Sequence, residues 1–321
     1  MTQAIETRDL TKRFGTATAV DGVDLQVARG AVFGLLGPNG AGKTTTIRML
    51  ATLLRPSGGT ARVLGHDVVR DAAQVRARVS LTGQFASVDE DLTGRENLVL
   101  VARLLGFGWR AARARARELL DVFELAEAGE RQVRTYSGGM RRRLDIGASL
   151  VLRPELLFLD EPTTGLDPRS RNQVWDLVRE IAAEGTTVML TTQYLEEADR
   201  LAGRLAVIDQ GRVIAQGTSR ELKESVGARS LHVRVADPGC VGEARAVLER
   251  FFGADTHSAE RPDALLARVS RDDLVPDALA ALVSSGIVVQ EFALAQPSLD
   301  DVFFALTGHA ARAEPDEEAA A

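Results

Sequence analysis

The chain has 321 residues, 45% hydrophobic and 26% charged, which is typical of about two globular domains. This composition excludes wholesale disorder, and no apolar run approaches the roughly 18 residues that a membrane-spanning helix needs. The net charge of −6 gives no electrostatic reason to expect nucleic acid as a partner. Because the N-terminus also lacks the pattern of a signal peptide, we expect a cytoplasmic chain that does not itself cross a membrane.

The first half of the chain alternates predicted strands and helices. Apolar and polar residues alternate over the first thirty positions, which predicts half-buried strands, and the continuous apolar run at 31–36 predicts a buried strand. A helix is predicted at 43–54, where a proline and two glycines follow. Helical spacing continues over residues 96–128, interrupted by Gly106 and Gly108.

The same alternation continues to about residue 208. Strands are predicted at 156–159, 187–190 and 205–208, and helices at 171–183 and 196–202. Strands that alternate with helices indicate an α/β fold with a mostly parallel sheet.

The pattern of predicted strands and helices changes after Gly227. Here strands are predicted at 231–235, 265–269 and 287–294, with helices at 242–252 and 274–282 between them. This pattern predicts a small β-α-β-α-β domain of the α+β type over residues 228–309. Residues 310–321 are acidic and alanine-rich without apolar periodicity, so we predict a disordered tail.

Residues 37–44 fit the phosphate-loop pattern G-x-x-x-x-G-K-[ST], between a predicted strand and a predicted helix. Glycines let the backbone point successive N–H groups at a phosphate, and the helix adds the positive end of its dipole. Lys43, one of three lysines among 39 basic residues, supplies an ammonium for the β and γ phosphates, and the Thr44 hydroxyl is expected to hold Mg²⁺. The predicted ATP-binding residues here are Gly37, Pro38, Asn39, Gly40, Ala41, Gly42, Lys43, Thr44 and Thr45.

Two carboxylates follow the apolar run at 156–159. Asp160 and Glu161 stand at the carboxyl end of a predicted buried strand, where ligands bind in open α/β sheets. Asp160 is predicted to bind Mg²⁺, and Glu161 to orient or deprotonate the attacking water. With Lys43, Glu161 is therefore a candidate catalytic residue.

The segment Tyr136-Ser137-Gly138-Gly139-Met140 resembles the signature motif L-S-G-G-Q of ATP-binding cassette (ABC) ATPases, with Tyr and Met at its ends. A helix predicted at 141–152 follows it and makes a second anion site. The resemblance covers residues 5–222. It implies a P-loop cassette with a mostly parallel sheet core, an antiparallel β subdomain and a helical subdomain at about 86–150, together forming a domain over residues 1–227.

The same resemblance implies roles for further residues. Gln84 corresponds to the glutamine that contacts Mg²⁺ and senses the membrane partner, and Asp167 to the D-loop between two nucleotide sites. Phe14 resembles the aromatic residue that stacks on adenine, with a place in the core as its alternative. Ser137, Gly138, Gly139 and Met140 are expected to face the ATP of a partner subunit.

One position departs from the usual cassette pattern. Most cassettes have a switch histidine where this chain has Gln193, which can donate a hydrogen bond but cannot carry a proton charge. Three short segments have sequences that resemble the daunorubicin/doxorubicin-resistance ATPase subfamily, namely residues 136–143, 191–196 and 297–303. We therefore interpret Gln193 as a subfamily feature that acts on the γ-phosphate.

These features predict a Mg²⁺-dependent ATPase subunit of an ABC exporter. The resemblance implies a homodimer of ATPase subunits, peripheral on the cytoplasmic face of a bacterial plasma membrane, with a separate integral-membrane permease and a hydrophobic drug or antibiotic as cargo. One alternative is a soluble cassette ATPase that acts on ribosomes or DNA, and another is a non-catalytic regulatory cassette. The C-terminal domain could regulate the ATPase, aid dimerisation, bind the permease or only add stability.

Overall fold

The computed structural model describes residues 3–83, 87–225, 229–253, 256–258, 261–269, 271–295 and 298–307. Within it the chain forms two compact units, of which the first ends at Ser219 and the second begins at Arg220. The predicted disordered tail at 310–321 lies outside the described residues. No helix in these described ranges combines the length and the apolar character that crossing a membrane requires.

The first unit contains two sheets. One has the order β2-β1-β5-β6, with β3 paired to β1, and all its pairings are antiparallel. The other has the order β11-β10-β4-β9-β8-β7 and is parallel except for the β10–β11 pair. The strands are β1 (Gln3–Phe14), β2 (Ala17–Val23), β3 (Gln26–Ala28), β4 (Val32–Leu36), β5 (Gly58–Val63), β6 (His66–Asp67), β7 (Val79–Thr82), β8 (Leu156–Asp160), β9 (Thr187–Thr192), β10 (Arg204–Asp209) and β11 (Arg212–Gly217).

Helices cover the parallel sheet and fill the segment between β7 and β8. They are α1 (Lys43–Leu50), α2 (Ala72–Arg76), α3 (Gly94–Leu104), α4 (Trp109–Val122), α5 (Gly138–Ser149), α6 (Pro168–Ala183), α7 (Leu195–Leu201) and α8 (Ser219–Ser225), the last of which spans the boundary between the two units. The predicted α/β fold is confirmed.

Both faces of the parallel sheet are buried. Along β8, Leu156 and Phe158 belong to the core shared with the antiparallel sheet, whereas Leu157 and Leu159 belong to the core shared with α3, α4, α5 and α6. Successive side chains of a strand point to opposite faces, so a strand covered on both sides must be apolar throughout. This requirement explains the continuous apolar runs in the sequence.

Several predicted helix boundaries in the first unit were wrong. The helix predicted at 43–54 ends at Leu50, because Thr52 takes a left-handed φ of 64° and the N–H groups of Leu53 and Leu54 both turn back to the Arg48 carbonyl. The helix predicted at 141–152 instead begins at Gly138 and ends at Ser149. Sequence patterns place helix ends at proline and glycine signals, and α1 ends six residues before the nearest such signal, Pro56.

The second unit is an antiparallel sheet with helices, as an α+β domain requires. Its elements are β12 (Arg229–Val235), α9 (Val241–Phe252), β13 (Thr256–Ser258), β14 (Ala264–Val269), α10 (Val275–Ser284), β15 (Val289–Ala295) and α11 (Leu299–Thr307), and the sheet order is β13-β14-β12-β15. Leu231, Leu248, Leu265 and Leu282 pack in its core. The predicted β-α-β-α-β pattern omitted β13 and α11, and β13 has only three residues, too few for a recognisable period.

Candidate active site

The phosphate loop connects β4 to α1 and lies against β2. Gly40 and Gly42 have φ angles of 84° and 102°, which favour glycine. A Cβ on Gly42 would also lie 2.5 Å from the Ala19 carbonyl oxygen. Of the remaining predicted loop residues, Asn39 is exposed, Ala41 is buried, and Pro38 and Thr45 are half-buried. The positions of Gly40 and Gly42 therefore require glycine.

Lys43 is the buried cation of the site. Its Nζ donates to the carbonyl oxygens of Gly37 at 2.7 Å and Pro38 at 3.0 Å, and it lies 3.2 Å from Glu161 Oε1. Burial lowers the pKa of Lys43, while the carboxylates of Glu161 and Asp160 act in the opposite direction. The two carbonyls and the Glu161 carboxylate thus hold the Lys43 ammonium at the phosphate loop.

Thr44 in α1 is hydrogen-bonded to Asp160 at the end of β8. The Thr44 hydroxyl donates to Asp160 Oδ1 at 3.0 Å, and the Thr191 hydroxyl donates to the same oxygen at 2.6 Å. Hydroxyl and carboxylate oxygens are the donors that Mg²⁺ prefers, and in nucleotide sites this ion takes one or two protein carboxylates plus phosphates. The residues present fit Mg²⁺ in this role. No cluster of three His, Cys, Asp or Glu side chains that could hold a metal alone occurs in the described ranges.

Glu161 follows Asp160 in a strained conformation. Its φ is 48°, in the left-handed region, and its backbone N–H donates to the Thr191 hydroxyl at 3.0 Å. Strained non-glycine residues persist only where surrounding contacts hold them, and they cluster at functional sites. Thr191 thus fixes both acids, through Asp160 Oδ1 and the Glu161 N–H. The sequence offered no signal for Thr191 beyond its position two residues before Gln193.

Gln193 lies at the same sheet edge. The parallel registers pair Leu36 with Thr192 and Asp160 with Thr191, so the ends of β4, β9 and β8 stand side by side. Gly37 N–H donates to the Thr192 carbonyl at 3.2 Å. Gln193 is half-buried immediately after β9. The chain therefore brings Gln193 to the edge that carries the phosphate loop and the two acids.

Ser137 begins the second predicted anion site as the N-cap of α5. Its hydroxyl accepts from the Met140 N–H at 3.3 Å, and Ser137 and Gly138 are exposed. Gly139 is buried against the side chain of Ser170, where a Cβ would clash with the hydroxyl. The N-terminus of α5 is consequently open to the surface.

Asp167 lies next to this helix start. It is the N-cap of α6, and its carboxylate accepts from Ser170 N–H at 2.9 Å and from the Ser170 hydroxyl at 2.5 Å. These hydrogen bonds lower the pKa of Asp167. Because Ser170 touches both Gly139 and Asp167, the signature segment and the predicted D-loop occupy one exposed surface.

Phe14 and Gln84 complete the predicted site residues. Phe14 is the last residue of β1 and is 51% exposed, with Lys12 Nζ 5.1 Å from the centre of its ring. The alternative of a core role for Phe14 is therefore wrong. Its strand partner is Ala17, two residues from the Ala19 carbonyl that faces the phosphate loop. Gln84 lies outside the described residues.

A buried pair on α5 was not predicted from the sequence. Arg142 donates to the carbonyl oxygens of Gly83 at 2.7 Å, Pro162 at 2.8 Å and Asp160 at 3.3 Å. Asp145, one turn later, accepts from the N–H and the hydroxyl of Ser87 at 2.8 and 2.6 Å.

Arg142 and Asp145 therefore connect α5 to the segment that carries Asp160 and Glu161. They also connect α5 to Gly83 and Ser87, which flank residues 84–86. Burial lowers the pKa of Arg142, although Asp145 opposes the shift. In the sequence Arg142 is the middle member of three consecutive arginines, so only its burial distinguishes it.

Glu197 on α7 is a second buried acid that sequence reasoning missed. Its Oε1 accepts from the Thr163 hydroxyl at 2.8 Å and from Trp175 Nε1 at 3.0 Å. Burial raises the pKa of Glu197, and these hydrogen bonds act in the opposite direction. Glu197 therefore connects α7, the helix that follows Gln193, to Thr163 in the segment after Glu161 and to Trp175 in α6.

Comparison with known proteins identifies the family of this chain. Residues 20–164 match the family described as ABC transporter, and residues 217–307 match the C-terminal domain of DrrA1-3-like ATP-binding proteins. The chain is 59% identical over 319 residues to the daunorubicin/doxorubicin resistance ATP-binding protein DrrA of Streptomyces peucetius, which covers 99% of this chain and 97% of that protein. It is 39% identical over 317 residues to the Nod factor export ATP-binding protein I of Ralstonia nicotianae, at 97% and 96% coverage.

A solved structure has the same fold as the first unit. It is a dimeric ATP-binding cassette bound to ADP and Pi, with a TM-score of 0.61 and 23% sequence identity, which covers 67% of this chain and 98% of that one. Three findings point to the same conclusion. They are the cassette fold, the phosphate loop with its two acids, and a relative that matches nearly the whole chain. The chain belongs to the ABC transporter family, as an ATP-binding subunit with ATPase activity.

Proposed function

We propose that this chain hydrolyses ATP with Mg²⁺ at the edge formed by β4, β9 and β8, and that this hydrolysis powers export through a separate membrane permease. One observation carries the catalytic part of the proposal. A phosphate-binding lysine, a hydroxyl, and two carboxylates converge there, with Lys43 Nζ 3.2 Å from Glu161 and Thr44 3.0 Å from Asp160.

Each residue has a distinct task in the proposed reaction. The N–H groups of the phosphate loop and Lys43 bind the β and γ phosphates, which fixes the reacting phosphorus. Glu161 accepts a proton as the water oxygen bonds to the γ-phosphorus, and the bond from that phosphorus to the β–γ bridging oxygen breaks, so that ADP leaves. Gln193 donates an amide N–H hydrogen bond to the γ-phosphate as charge develops. Thr44, Asp160 and Gln84 would hold Mg²⁺, which when bound offsets phosphate charge.

Phe14 supplies the proposed surface for the adenine. Its ring is half exposed at the end of β1, and β2, the partner strand, lies against the phosphate loop. A flat aromatic side chain that is free on one face offers stacking without selecting a particular hydrogen-bonding edge. We expect this residue to affect nucleotide affinity rather than the chemical step.

The proposed active unit is a two-fold homodimer with two shared sites. Ser137 and Gly138 are exposed at the start of α5, and the D-loop beside them is exposed as well. A second phosphate-binding helix start that opens to the surface is complementary to the nucleotide of another subunit. Met140 holds the N-cap through its backbone N–H. The dimeric cassette with ADP and Pi is a precedent for this assembly in another protein.

The proposed cargo is a hydrophobic drug or antibiotic. The support is the resemblance over nearly the full chain to a daunorubicin/doxorubicin resistance ATP-binding protein, and the match of the second unit to the C-terminal domain of such proteins. The proposed location is the cytoplasmic face of a bacterial plasma membrane, where a permease subunit is available. The second unit is proposed to serve this complex, by regulation, dimerisation or permease binding.

The alternatives have less support. The relatives are named for drug resistance and Nod factor export, and the net charge of −6 disfavours nucleic acid, so an action on ribosomes or DNA is not favoured. A non-catalytic cassette is disfavoured because Lys43 and Glu161 are both present in one buried pair.

Co-expression in a drug-sensitive bacterium tests the proposal. The chain is produced with a candidate permease, with doxorubicin as the probe, and inverted vesicles are assayed for ATP-driven doxorubicin uptake. We expect uptake with both subunits and Mg²⁺, and none after chelation or with Lys43→Ala. Uptake that persists with Lys43→Ala contradicts the ATPase role. ATP turnover without any uptake contradicts the choice of cargo only.

A further inference from the structure

The strand β15 of the second unit lies at the edge of its sheet. The strand order is β13-β14-β12-β15, so in the described part of the chain β15 pairs with β12 alone. All five residues at 290–294 are exposed, whereas every second residue of β12 from Leu231 to Val235 is buried. One side of β15 therefore presents backbone groups that no neighbouring strand uses.

The register of the sheet identifies these backbone groups. The Val235 N–H donates to the Asp263 carbonyl on the β14 side, and the direction alternates along a strand, so Val233 also directs its backbone groups toward β14. Its partner on β15 is Phe292. Because two opposite residues either exchange both hydrogen bonds or neither, Phe292 directs its N–H and C=O away from β12. The same holds two residues later for Leu294.

The side chains of Phe292 and Leu294 make this edge apolar. They are 58% and 37% exposed. Their partners Val233 and Leu231 pack in the core of the second unit, so Phe292 and Leu294 lie on the same face of the sheet as that core. The apolar face of the sheet therefore continues to its open edge.

The strand lacks the features that usually keep an edge from pairing. Natural edge strands carry lysine, proline or inward-pointing charges, and residues 289–295 contain no Lys, Arg or Pro. Their single charged residue, Glu291, lies 3.6 Å from Arg234 of β12. The one irregularity in the pairing with β12 is at the beginning of β15, so residues 291–295 form a regular template for another strand.

We propose that β15 pairs antiparallel with β15 of a second copy of this chain, about a two-fold axis at Ala293. In this register Phe292 and Leu294 of the partner subunit form a hydrogen-bonded pair, which occurs twice and gives about four hydrogen bonds. The side chains of each such pair lie opposite each other on the apolar face. Glu291 lies opposite Ala295 of the partner subunit, so no two carboxylates meet.

A second copy fits this edge better than an unrelated strand does. A two-fold contact needs a surface that is complementary to itself, and the apolar pairs and the uncharged residue opposite Glu291 meet that need on both sides of the axis. Two copies are also brought together in the proposed cassette homodimer, where a second contact forms at high effective concentration. The inference makes one of the three roles proposed for the second unit specific, and it rests on that homodimer only for this local concentration.

Cysteine cross-linking of the full chain tests the register. The one natural cysteine is Cys240, so the background is Cys240→Ser. Ala293→Cys would stand at the axis in a pair without hydrogen bonds, whose Cα atoms are about 4.5 Å apart, within the range for a disulfide. Glu291→Cys is the matched control on the same strand and face, with its two copies about 14 Å apart. With copper phenanthroline as oxidant and no nucleotide, we expect Ala293→Cys to form covalent dimer at least roughly 10-fold faster.

A lysine on the edge tests the strand pairing itself. Phe292→Lys places a charge in both apolar pairs, so it should weaken self-association without ATP, measured by sedimentation velocity, by roughly 10-fold or more. Leu53→Lys replaces a side chain of similar exposure in the first unit, 63% against 58%, and should associate like the parent. Equal melting temperatures show that both variants are folded. Self-association that persists without ATP in Ser137→Arg supports the pairing even where the shared nucleotide site fails.

Three results would overturn the proposal. A parent chain that stays monomeric without ATP at every concentration tested would show that β15 does not pair with itself. Equal cross-linking rates of Ala293→Cys and Glu291→Cys would mean that random collision forms the disulfides. A Phe292→Lys variant that self-associates like the parent but no longer co-purifies with the permease would assign the edge to the permease.

Discussion

Lys43 and Glu161 form a buried ion pair, in which Nζ lies 3.2 Å from Oε1 and the two side chains are 3% and 8% exposed. The cation proposed to bind the γ-phosphate therefore touches the carboxylate proposed to activate water. An isolated buried charge is costly, and the Glu161 carboxylate partly offsets the lowering of the Lys43 pKa that burial causes. This arrangement makes the roles of the two residues separately testable.

Glu161→Gln should retain ATP binding and lose turnover by at least roughly 10²-fold, because the amide keeps the shape but cannot accept the proton. Steady-state phosphate release and binding of a fluorescent nucleotide measure the two effects. Glu196→Gln, an exposed acid on α7, is the matched control and should behave like the parent. Parental turnover in Glu161→Gln would remove this residue from the role of base.

Gln193 should act through its neutral amide. Since glutamine does not titrate, turnover between about pH 6 and 8 should lack the component that a histidine with an unperturbed pKa of about 6.5 would add. Gln193→His should stay active, and Gln193→Ala should lose much of its turnover because the γ-phosphate loses a donor. If the alanine variant turns over as fast as the parent, Gln193 has only a packing role.

Arg142→Gln should lower the free energy of unfolding by about 3 kcal/mol, the range for breaking a buried pair. It should also lower kcat more than it changes KM, because Arg142 holds the carbonyls of Asp160 and Pro162 on either side of Glu161. Arg143→Gln is the control on the same helix. Its partner Glu124 is 74% exposed, and Arg143 itself is 13% exposed and also donates to the Phe123 carbonyl, so we expect a smaller loss, of about 1 kcal/mol. Equal effects of the two variants in denaturant and kinetic assays would contradict a special role for Arg142.

Lys43→Ala and Ser137→Arg should each be nearly inactive, since every site of either homodimer is damaged. Mixing the two variants should produce heterodimers in which one site carries both lesions and the other carries none. We expect ATPase activity in the mixture that neither variant has alone, with ATP-dependent dimer formation measured in parallel by light scattering. Full activity of Ser137→Arg as a strict monomer would refute the shared site.

Glu197→Gln should change how stability depends on pH. Burial raises the pKa of Glu197 in the folded chain, so the folded state favours the protonated acid. That advantage is complete below the unfolded pKa of about 4.3 and is lost as pH rises through the folded pKa. The amide keeps an acceptor for Thr163 and Trp175 without the charge, so its melting temperature relative to the parent should increase with pH. Thermal melts at several pH values check this, and a constant difference would contradict it.

Local motifs were sufficient for part of the site. The phosphate loop, Asp160, Glu161 and Ser137 were predicted because each depends on a short segment whose residue types dictate its geometry. Glycines permit the loop, an apolar run delivers acids at a strand end, and a serine caps a helix. The buried strands were likewise predictable, since a sheet covered on both faces must be apolar throughout.

Contacts between distant segments depended on the tertiary structure. Thr191 reaches Asp160 across 31 residues, and Arg142 reaches Gly83 across 59 residues, through sheet register and helix packing that no local pattern encodes. The exposure of Phe14 was decided in the same way, because burial is set by which elements pack together. The sequence by itself determined the chemical groups of this protein, and the tertiary structure decided which of them act together.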